Sequence, residues 1–402
     1  LRVLQVIPAV AQRYGGPSQA IFEMCRALKK RGLDVLIATT DVDGHARLPV
    51  QTGSKIDYRG VPTIFFRGLG ERFNYSPSLG RWLDAGASGF AVVHIHAVFS
   101  HPCIAAARAC RKHNIRYIVR PLGSLDPWSM QQKPLRKRLM WQMAAGRMLR
   151  EAASIHYTTD EERRLAEVSL GLDHGVVIPL GVDIDAIKGA PAEASFREHH
   201  PALGDRPYVL ALSRIHPKKN IELLIEIFLE LTKRPELSQW RLVIAGEGDP
   251  SYLARLRALA ESSDAIIFAG WIDGVMKTSA IQQASLLASP SRQENFGVAA
   301  AEALACGVPV VVSEHVNLAS EIARANAGWV ASLERADFSR ALADAMMSGE
   351  ERQRRGRAGK LFGEENLSWE KAARELERLY SAVIANTGTP AKSYHPGGVE
   401  SS

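Results

Sequence analysis

Pro290-Ser291-Arg292-Gln293-Glu294-Asn295-Phe296-Gly297-Val298-Ala299-Ala300-Ala301-Glu302-Ala303-Leu304-Ala305-Cys306-Gly307-Val308-Pro309-Val310-Val311 is the stretch that decides the fold. A short apolar run, Leu286–Ser289, precedes it, and a second, Pro309–Ser313, closes it. The spacing predicts a strand, a loop, a helix from about Gly297 to Cys306, and a second buried strand. Strand, helix, strand in succession is the repeating unit of a parallel sheet covered on both faces. Glu294 falls in the loop and Glu302 inside the helix. A helix N-terminus offers free N–H groups and the positive end of the helix dipole, which suits a diphosphate. Gly297 lets the backbone come close to such a group. From Gly297 to Glu302 the helix rises about 7.5 Å, a plausible reach from a diphosphate to a ribose, whose hydroxyls a carboxylate accepts.

The same alternation runs outward in both directions. Within the same half, strands are expected at Tyr208–Ser213, Arg241–Ala245, Ala265–Ala269 and Gly328–Val330, with helices near Ile221–Thr232 and Tyr252–Ser262. The first half repeats it. Strands are expected at Val3–Ile7, Val35–Ala38, Thr63–Phe66, Val92–His96, Arg116–Val119, Ser154–Tyr157 and Val176–Ile178, with helices such as Ala105–Lys112 and Glu161–Val168 between them. The fold class is therefore α/β, with two Rossmann-like doubly wound parallel-sheet domains facing across a cleft. Residues 1–185 form the first domain and 186–368 the second, the join lying in the stretch 181–206. A last helix, 369–385, is expected to pack back on the first domain. The Gly-, Pro- and Ser-containing tail 386–402 has no periodicity and reads as disordered.

Composition narrows the class. A chain of 402 residues exceeds what one core usually serves, and 46% apolar with 23% charged residues is ordinary for a soluble protein. No apolar run approaches the about 18 residues of a membrane span. The N-terminus enters a strand pattern at once, so no signal peptide is expected and the place is cytoplasmic. Cys25, Cys103, Cys110 and Cys306 lack metal spacing and read as reduced packing residues. The net charge of +7 favours anionic partners. Nucleic acid is a poor candidate, because the basic residues lack interleaved aromatics.

Further motifs sit on loops. Leu212-Ser213-Arg214-Ile215-His216-Pro217-Lys218-Lys219-Asn220 follows the first strand of the second half. Arg214 as a planar fork and Lys219 as a point charge could neutralise a departing diphosphate. Gly15-Gly16-Pro17-Ser18 opens the first helix and is either a plain tight turn or a close approach to ligand. It is not the dinucleotide fingerprint. His94 and His96 share a strand face, but no third ligand is near and a metal reading is poor. Asp41-Val42-Asp43 and Asp183-Ile184-Asp185 read as loops.

The Glu-x7-Glu block, with Asn295-Phe296-Gly297-Val298 after its first glutamate and Glu302-Ala303-Leu304-Ala305-Cys306-Gly307-Val308-Pro309 from its second, resembles the signature of glycosyltransferase family 4, the group 1 retaining enzymes of GT-B fold. The resemblance spans the chain to about Ala385. It implies a retaining hexosyltransferase that moves sugar from a nucleotide-diphosphate sugar to a saccharide or lipid-linked acceptor, in surface polysaccharide or glycolipid synthesis. The donor is UDP- or GDP-linked, and neither cofactor nor metal is implied. Glu294 would contact the donor sugar and Glu302 the ribose. Arg214 and Lys219 match the family's Arg-x4-Lys, with Asn220 where many members have Gly. Gly15 and Gly16 would pass near the donor phosphate. Ile272 and Lys277, in Gly270-Trp271-Ile272-Asp273…Lys277, would meet the base. Glu321 is a family-like acid near the donor or a helix cap.

On the acceptor side the resemblance points to His96, Arg120 and Asp126, with Leu122 standing where many relatives have His. Front-face displacement needs no nucleophile; a double displacement would need a carboxylate, for which Asp126 is the candidate. An alternative is a GT-B phosphorylase or epimerase, or a nucleotide-sugar binder without turnover. Finally, residues 133–150 carry six basic residues and no acid. This stretch is either an interfacial helix drawn to an anionic membrane or a helix with a core face and a solvated basic face.

Overall fold

The computed structural model describes residues 1–70, 73–132, 134–189 and 196–385. The predicted tail 386–402 and Lys133 lie outside the described residues. The chain forms two compact units. Unit 1 takes the chain up to Gly181 and resumes at Trp369, and unit 2 is Val182–Ser368. The division falls at Gly181 rather than after Asp185, because Val182 bridges to Ser368 within unit 2.

Unit 1 holds ten strands: β1 (Arg2–Ala9), β2 (Asp34–Thr40), β3 (Val42–Asp43), β4 (Ala46–Arg47), β5 (Lys55–Tyr58), β6 (Val61–Phe66), β7 (Val92–His96), β8 (Arg116–Arg120), β9 (Ser154–Tyr157) and β10 (Gly175–Val177). Eight of them make one sheet in the order β10-β9-β8-β7-β1-β2-β6-β5. The sheet is parallel except at its edge, where β5 pairs antiparallel with β6. That strand was not expected from sequence: Lys55-Ile56-Asp57-Tyr58 alternates charge with apolar side chains, as an edge exposed on one face does. Val92, Val93 and Ile95 of the central β7 are fully buried. Each such side chain contributes about 1.5–3 kcal/mol.

Asp41-Val42-Asp43 is no free loop. Val42 and Asp43 form β3 of a small hairpin with β4. Asp41 accepts from the Gly68 N–H at 2.8 Å, and Asp43 pairs with Arg13 at 3.0 Å. Asp183 accepts from the Ala186 N–H at 3.0 Å and caps a short helix. The helix Trp369–Ala385 packs on the first helix of the chain, Gly16–Lys30.

Unit 2 holds β11 (Tyr208–Leu212), β12 (Arg241–Ala245), β13 (Ile266–Gly270), β14 (Leu286–Ser289), β15 (Val310–Ser313) and β16 (Gly328–Ala331), in the all-parallel order β13-β12-β11-β14-β15-β16. Renumbered within the unit this is 3-2-1-4-5-6, the doubly wound order whose reversal point lies between β11 and β14. The loops that leave these two strands are Ser213–Asn220 and Pro290–Gly297. Topology alone thus brings the two strongest motifs of the sequence to one crevice.

Candidate active site

The first of these loops is threaded against two glycines. Ser213 N–H donates to Ala245 O at 3.1 Å and Ile215 N–H to Glu247 O at 2.7 Å. A Cβ on Gly246 would overlap Ser213 O, and one on Gly248 would overlap Ile215 O. Sequence reasoning passed over Gly246-Glu247-Gly248, although a glycine pair directly after an apolar strand was the available signal. Asn220 ends the loop at φ +54°. In that left-handed region Asn and Gly are the tolerated residues, so Asn220 in place of glycine keeps the backbone the loop requires.

The second loop is pinned by its backbone. Glu294 N–H donates to His315 O at 3.0 Å, and Asn317 N–H donates to Glu294 O at 3.0 Å. Gly297 caps the helix Val298–Ala305 at φ +88°, where a Cβ would crowd Val316. Phe296 is buried and anchors the turn. The two loops are then tied together through Arg292. Its backbone N–H donates to Lys218 O at 2.8 Å, and its guanidinium donates to Asn220 Oδ1 at 2.8 Å. Both neighbours of Lys219 are therefore held by one residue.

The result is two lysine–glutamate pairs on one glutamate block. Lys219 Nζ contacts Glu294 Oε2, and Lys277 Nζ lies 2.6 Å from Glu302 Oε1. All four side chains are largely enclosed. Burial first, then the charges of Lys218 and Arg214, push the Lys219 ammonium down to about 7. The carboxylate in contact with it works the other way and favours the charged form. Arg214 lies exposed in the same loop. Lys277 comes from the helix Gly274–Gln282 and reaches the glutamate read as the ribose ligand. Ile272, half-buried, lies between β13 and that helix. Glu321 lies in the first turn of its helix, where it accepts from Ser320 Oγ at 2.8 Å and pairs with Arg324.

Arg292 gives the first prediction. Arg292→Ala removes the guanidinium contact to Asn220, leaving the backbone bond to Lys218 O in place, and should raise the donor KM up to about tenfold, the worth of one hydrogen bond. Asn220→Gly keeps the backbone but loses the same contact. The double variant should therefore be no worse than Arg292→Ala. Full additivity in steady-state kinetics would show that the clamp does not exist.

In unit 1, Gly15 caps the first helix and Gly16 begins it, in the loop after β1. His96 and Arg120 end β7 and β8 side by side, and both are buried. Arg120 is held down to about 10 by burial, with the Glu162 charge opposing. Leu122 stands at φ +57°, an uncommon backbone for a branched residue. A residue missed from sequence, Glu162, fixes that turn. Its buried carboxylate accepts from Gly123 N–H at 2.9 Å and from Thr158 N–H and Oγ1 at 2.8 Å each. Asp126 is almost fully buried and accepts from Trp128 N–H at 2.9 Å, capping the helix Pro127–Gln131.

Beneath these residues lies a chain of hydrogen bonds that sequence reasoning reached only at His94 and His96. His156 Nε2 lies 2.8 Å from Ile178 O and must donate to it. With neutral rings, every later direction follows. His94 Nε2 donates to His156 Nδ1 at 3.4 Å, and Tyr380 OH donates to His94 Nδ1 at 2.9 Å. Gln5 Nε2 donates to Tyr380 OH at 3.1 Å, and His96 Nε2 donates to Gln5 Oε1 at 2.7 Å. Burial lowers the pKa of all three histidines, first among the causes in each case. Among the described residues no cluster of side chains has the composition of a metal site.

The doubly wound second unit with its glutamate block defines a glycosyltransferase of GT-B fold. Residues 193–362 match the family model described as Glycosyl transferases group 1, and residues 15–181 match the Glycosyl transferase 4-like domain. The chain belongs to the group 1 glycosyltransferases. It is 26% identical to a phosphatidyl-myo-inositol mannosyltransferase of Mycobacterium leprae, over 96% of this chain and 98% of that one. It is 30% identical to a GDP-mannose-dependent alpha-(1-6)-phosphatidylinositol monomannoside mannosyltransferase of Mycolicibacterium smegmatis, over 53% and 57% of the two chains. Among solved structures it resembles sucrose-phosphate synthase of Thermosynechococcus elongatus, with TM-score 0.76, 19% identity and coverage of 96% of this chain and 100% of that one. Anabaena HepE in complex with UDP and glucose follows at TM-score 0.74 and 16% identity, covering 95% and 99%.

Proposed function

We propose that the protein is a retaining hexosyltransferase that moves a sugar from a UDP- or GDP-linked donor to a saccharide or lipid-linked saccharide acceptor, in surface polysaccharide or glycolipid synthesis. The observation that carries this reading is the pairing of Lys219 with Glu294 and of Lys277 with Glu302 at the reversal point of the second sheet. Glu302 takes the ribose hydroxyls, with Lys277 beside it toward the base and Ile272 on the base's other side. Glu294 takes the sugar hydroxyls, helped by the backbone of Asn295 to Val298. Arg214 and Lys219 meet the diphosphate charge, so no metal ion is required. The names of the relatives favour a mannosyl donor and an inositol-bearing acceptor, and both belong at the head of any substrate panel.

On the acceptor side, His96 and Arg120 act from beneath the turn that carries Leu122, and Asp126 orders the helix that follows it. An Asp engaged in capping is poorly placed as a nucleophile. We therefore favour front-face attack through an oxocarbenium-like transition state, with the leaving phosphate taking the acceptor proton. Among the described residues no helix is long and apolar enough to cross a membrane. We place the enzyme in the cytoplasm, meeting a lipid-linked acceptor at the membrane's cytoplasmic face.

The test is a metal-free screen of UDP- and GDP-sugars for binding and slow hydrolysis, with Glu302→Ala alongside. One donor should bind selectively, and the variant should lose roughly tenfold or more in affinity, as expected for charged hydrogen bonds to the ribose. Failure of every nucleotide sugar to bind would sink the reading.

A further inference from the structure

The helical run 134–150 breaks the usual placement of apolar side chains. Its first segment, Pro134–Met140, contains no buried residue. Leu135 is 83% exposed, Leu139 57% and Met143 74%, and they follow one another at intervals of four along one side. The run's apolar side chains meet the core of unit 1 only farther on. Ala145, Met148 and Leu149 enter the core, and Trp141 packs on it. The periodicity alone allowed the apolar stripe to be a core face; the structure turns that stripe to solvent instead. Arg136 and Arg138 lie exposed between the two leucines and Arg150 lies exposed beyond the methionine, while Arg147 pairs with Glu151 at 2.7 Å just past the run, within which no acidic residue falls. Lys137 turns back, its Nζ 2.5 Å from Ser129 O and over the Phe99 ring.

Exposed leucines and methionine at helical spacing, interleaved with arginines, are the composition of a helix that lies in a lipid interface. A protein partner is the poorer occupant, since the core of a protein interface is depleted in charged residues. The net positive charge of Arg136, Arg138 and Arg150 matches the negative surface potential of a leaflet that contains anionic lipid. We propose that residues 134–150 are the surface by which this chain docks on an anionic bilayer, with Leu135, Leu139 and Met143 inserted among the acyl chains and Arg136, Arg138 and Arg150 against the headgroups. Docking of this kind would hold unit 1 where a lipid-linked acceptor is found. It is independent of the donor chemistry, so it can fail while the transferase reading stands, and the reverse.

The experiment is co-sedimentation of the full chain with vesicles of phosphatidylcholine alone or mixed with phosphatidylglycerol. The wild type should sediment with the mixed vesicles and not the neutral ones, and added salt should release it. Leu135→Ser/Leu139→Ser/Met143→Ser and Arg136→Glu/Arg138→Glu/Arg150→Glu should each lower the partition coefficient at least roughly tenfold. Their melting temperatures and donor hydrolysis in solution should be unchanged. Leu361→Ser, at an exposed leucine of unit 2, should bind as wild type does. No binding of the wild type to anionic vesicles would overturn the proposal. So would undiminished binding by either triple variant, or a concentration-dependent dimer that the Ser variant dissolves.

Discussion

Lys219→Ala should lower kcat on the cognate donor by roughly two to three orders of magnitude, the loss of about 3–4 kcal/mol of charge stabilisation. Negative charge grows on the leaving diphosphate as the glycosidic bond breaks, and a point charge fixed in advance stabilises that state more than the ground state. Lys219 is fixed in advance on both sides. Arg292 holds Lys218 and Asn220, and Glu294 meets the ammonium. In the free enzyme burial, then the charges of Lys218 and Arg214, lower the ammonium to about 7, and the Glu294 carboxylate in contact with it favours the charged form. Donor binding must replace that carboxylate by phosphate oxygens, so the pair is a holding position. Glu294→Gln removes the counter-charge. In the wild type donor affinity should fall as pH rises through about 7, and in that variant the fall should begin at lower pH. Lys219→Arg should not restore turnover, because a forked guanidinium cannot occupy the place of a compact ammonium between two tethered neighbours. Steady-state kinetics with the donor found in the screen checks all three, and an alanine variant within about tenfold of wild type would remove Lys219 from the transition state.

How much of this was legible in the sequence depends on the range of the interactions. The strands of both sheets stand out because a parallel sheet buried on two faces needs near-continuous apolar runs, as Val209–Ala211 and Leu242–Ala245 supply. The edge strand Lys55–Tyr58 carries no such run and went unseen. In the second unit the motifs were legible as single loops, and the 3-2-1-4-5-6 order explains why they meet. Sequence could not show that Lys277 reaches Glu302, because that contact depends on how two helices twenty-five positions apart pack together. Asn220 shows the opposite case. It looked like a departure from a glycine pattern, yet its φ of +54° is the conformation for which Asn substitutes. The chain from Gln5 to Tyr380 spans 375 positions, and no local pattern announces it. The Leu135, Leu139 and Met143 stripe has the same periodicity whether it faces a core or solvent, so only the structure could choose.

Acid should unfold unit 1 before unit 2. His94, His96 and His156 are buried and neutral, with pKa values lowered first by burial and then by one another and Arg120, His156 to about 3. Unfolding returns each to its ordinary value near 6.5, so below that pH the unfolded chain binds protons that the folded unit refuses. Stability is therefore complete above about 6.5 and is lost as pH falls toward the folded values, at about 1.4 kcal/mol per pH unit for each ring and about 4 kcal/mol for three. Glu162 runs the other way. Burial raises its carboxyl, so its contribution grows as pH falls, but it is one group against three. No described histidine of unit 2 is buried, which supplies the internal control. Calorimetry of the full chain from about pH 7 to pH 5 should show one transition moving down steeply while the other moves little. The relay makes the slope specific. Protonating His156 or His94 puts a second N–H where a neighbour also donates, and protonating His96 adds a buried N–H with no acceptor, so the Tyr380 link between the helix Trp369–Ala385 and β7 is strained together with the histidines. His156→Gln keeps a donor for Ile178 O and an acceptor for His94 but cannot titrate, and the slope should drop by about one third. A slope unchanged in that variant would place the acid sensitivity elsewhere.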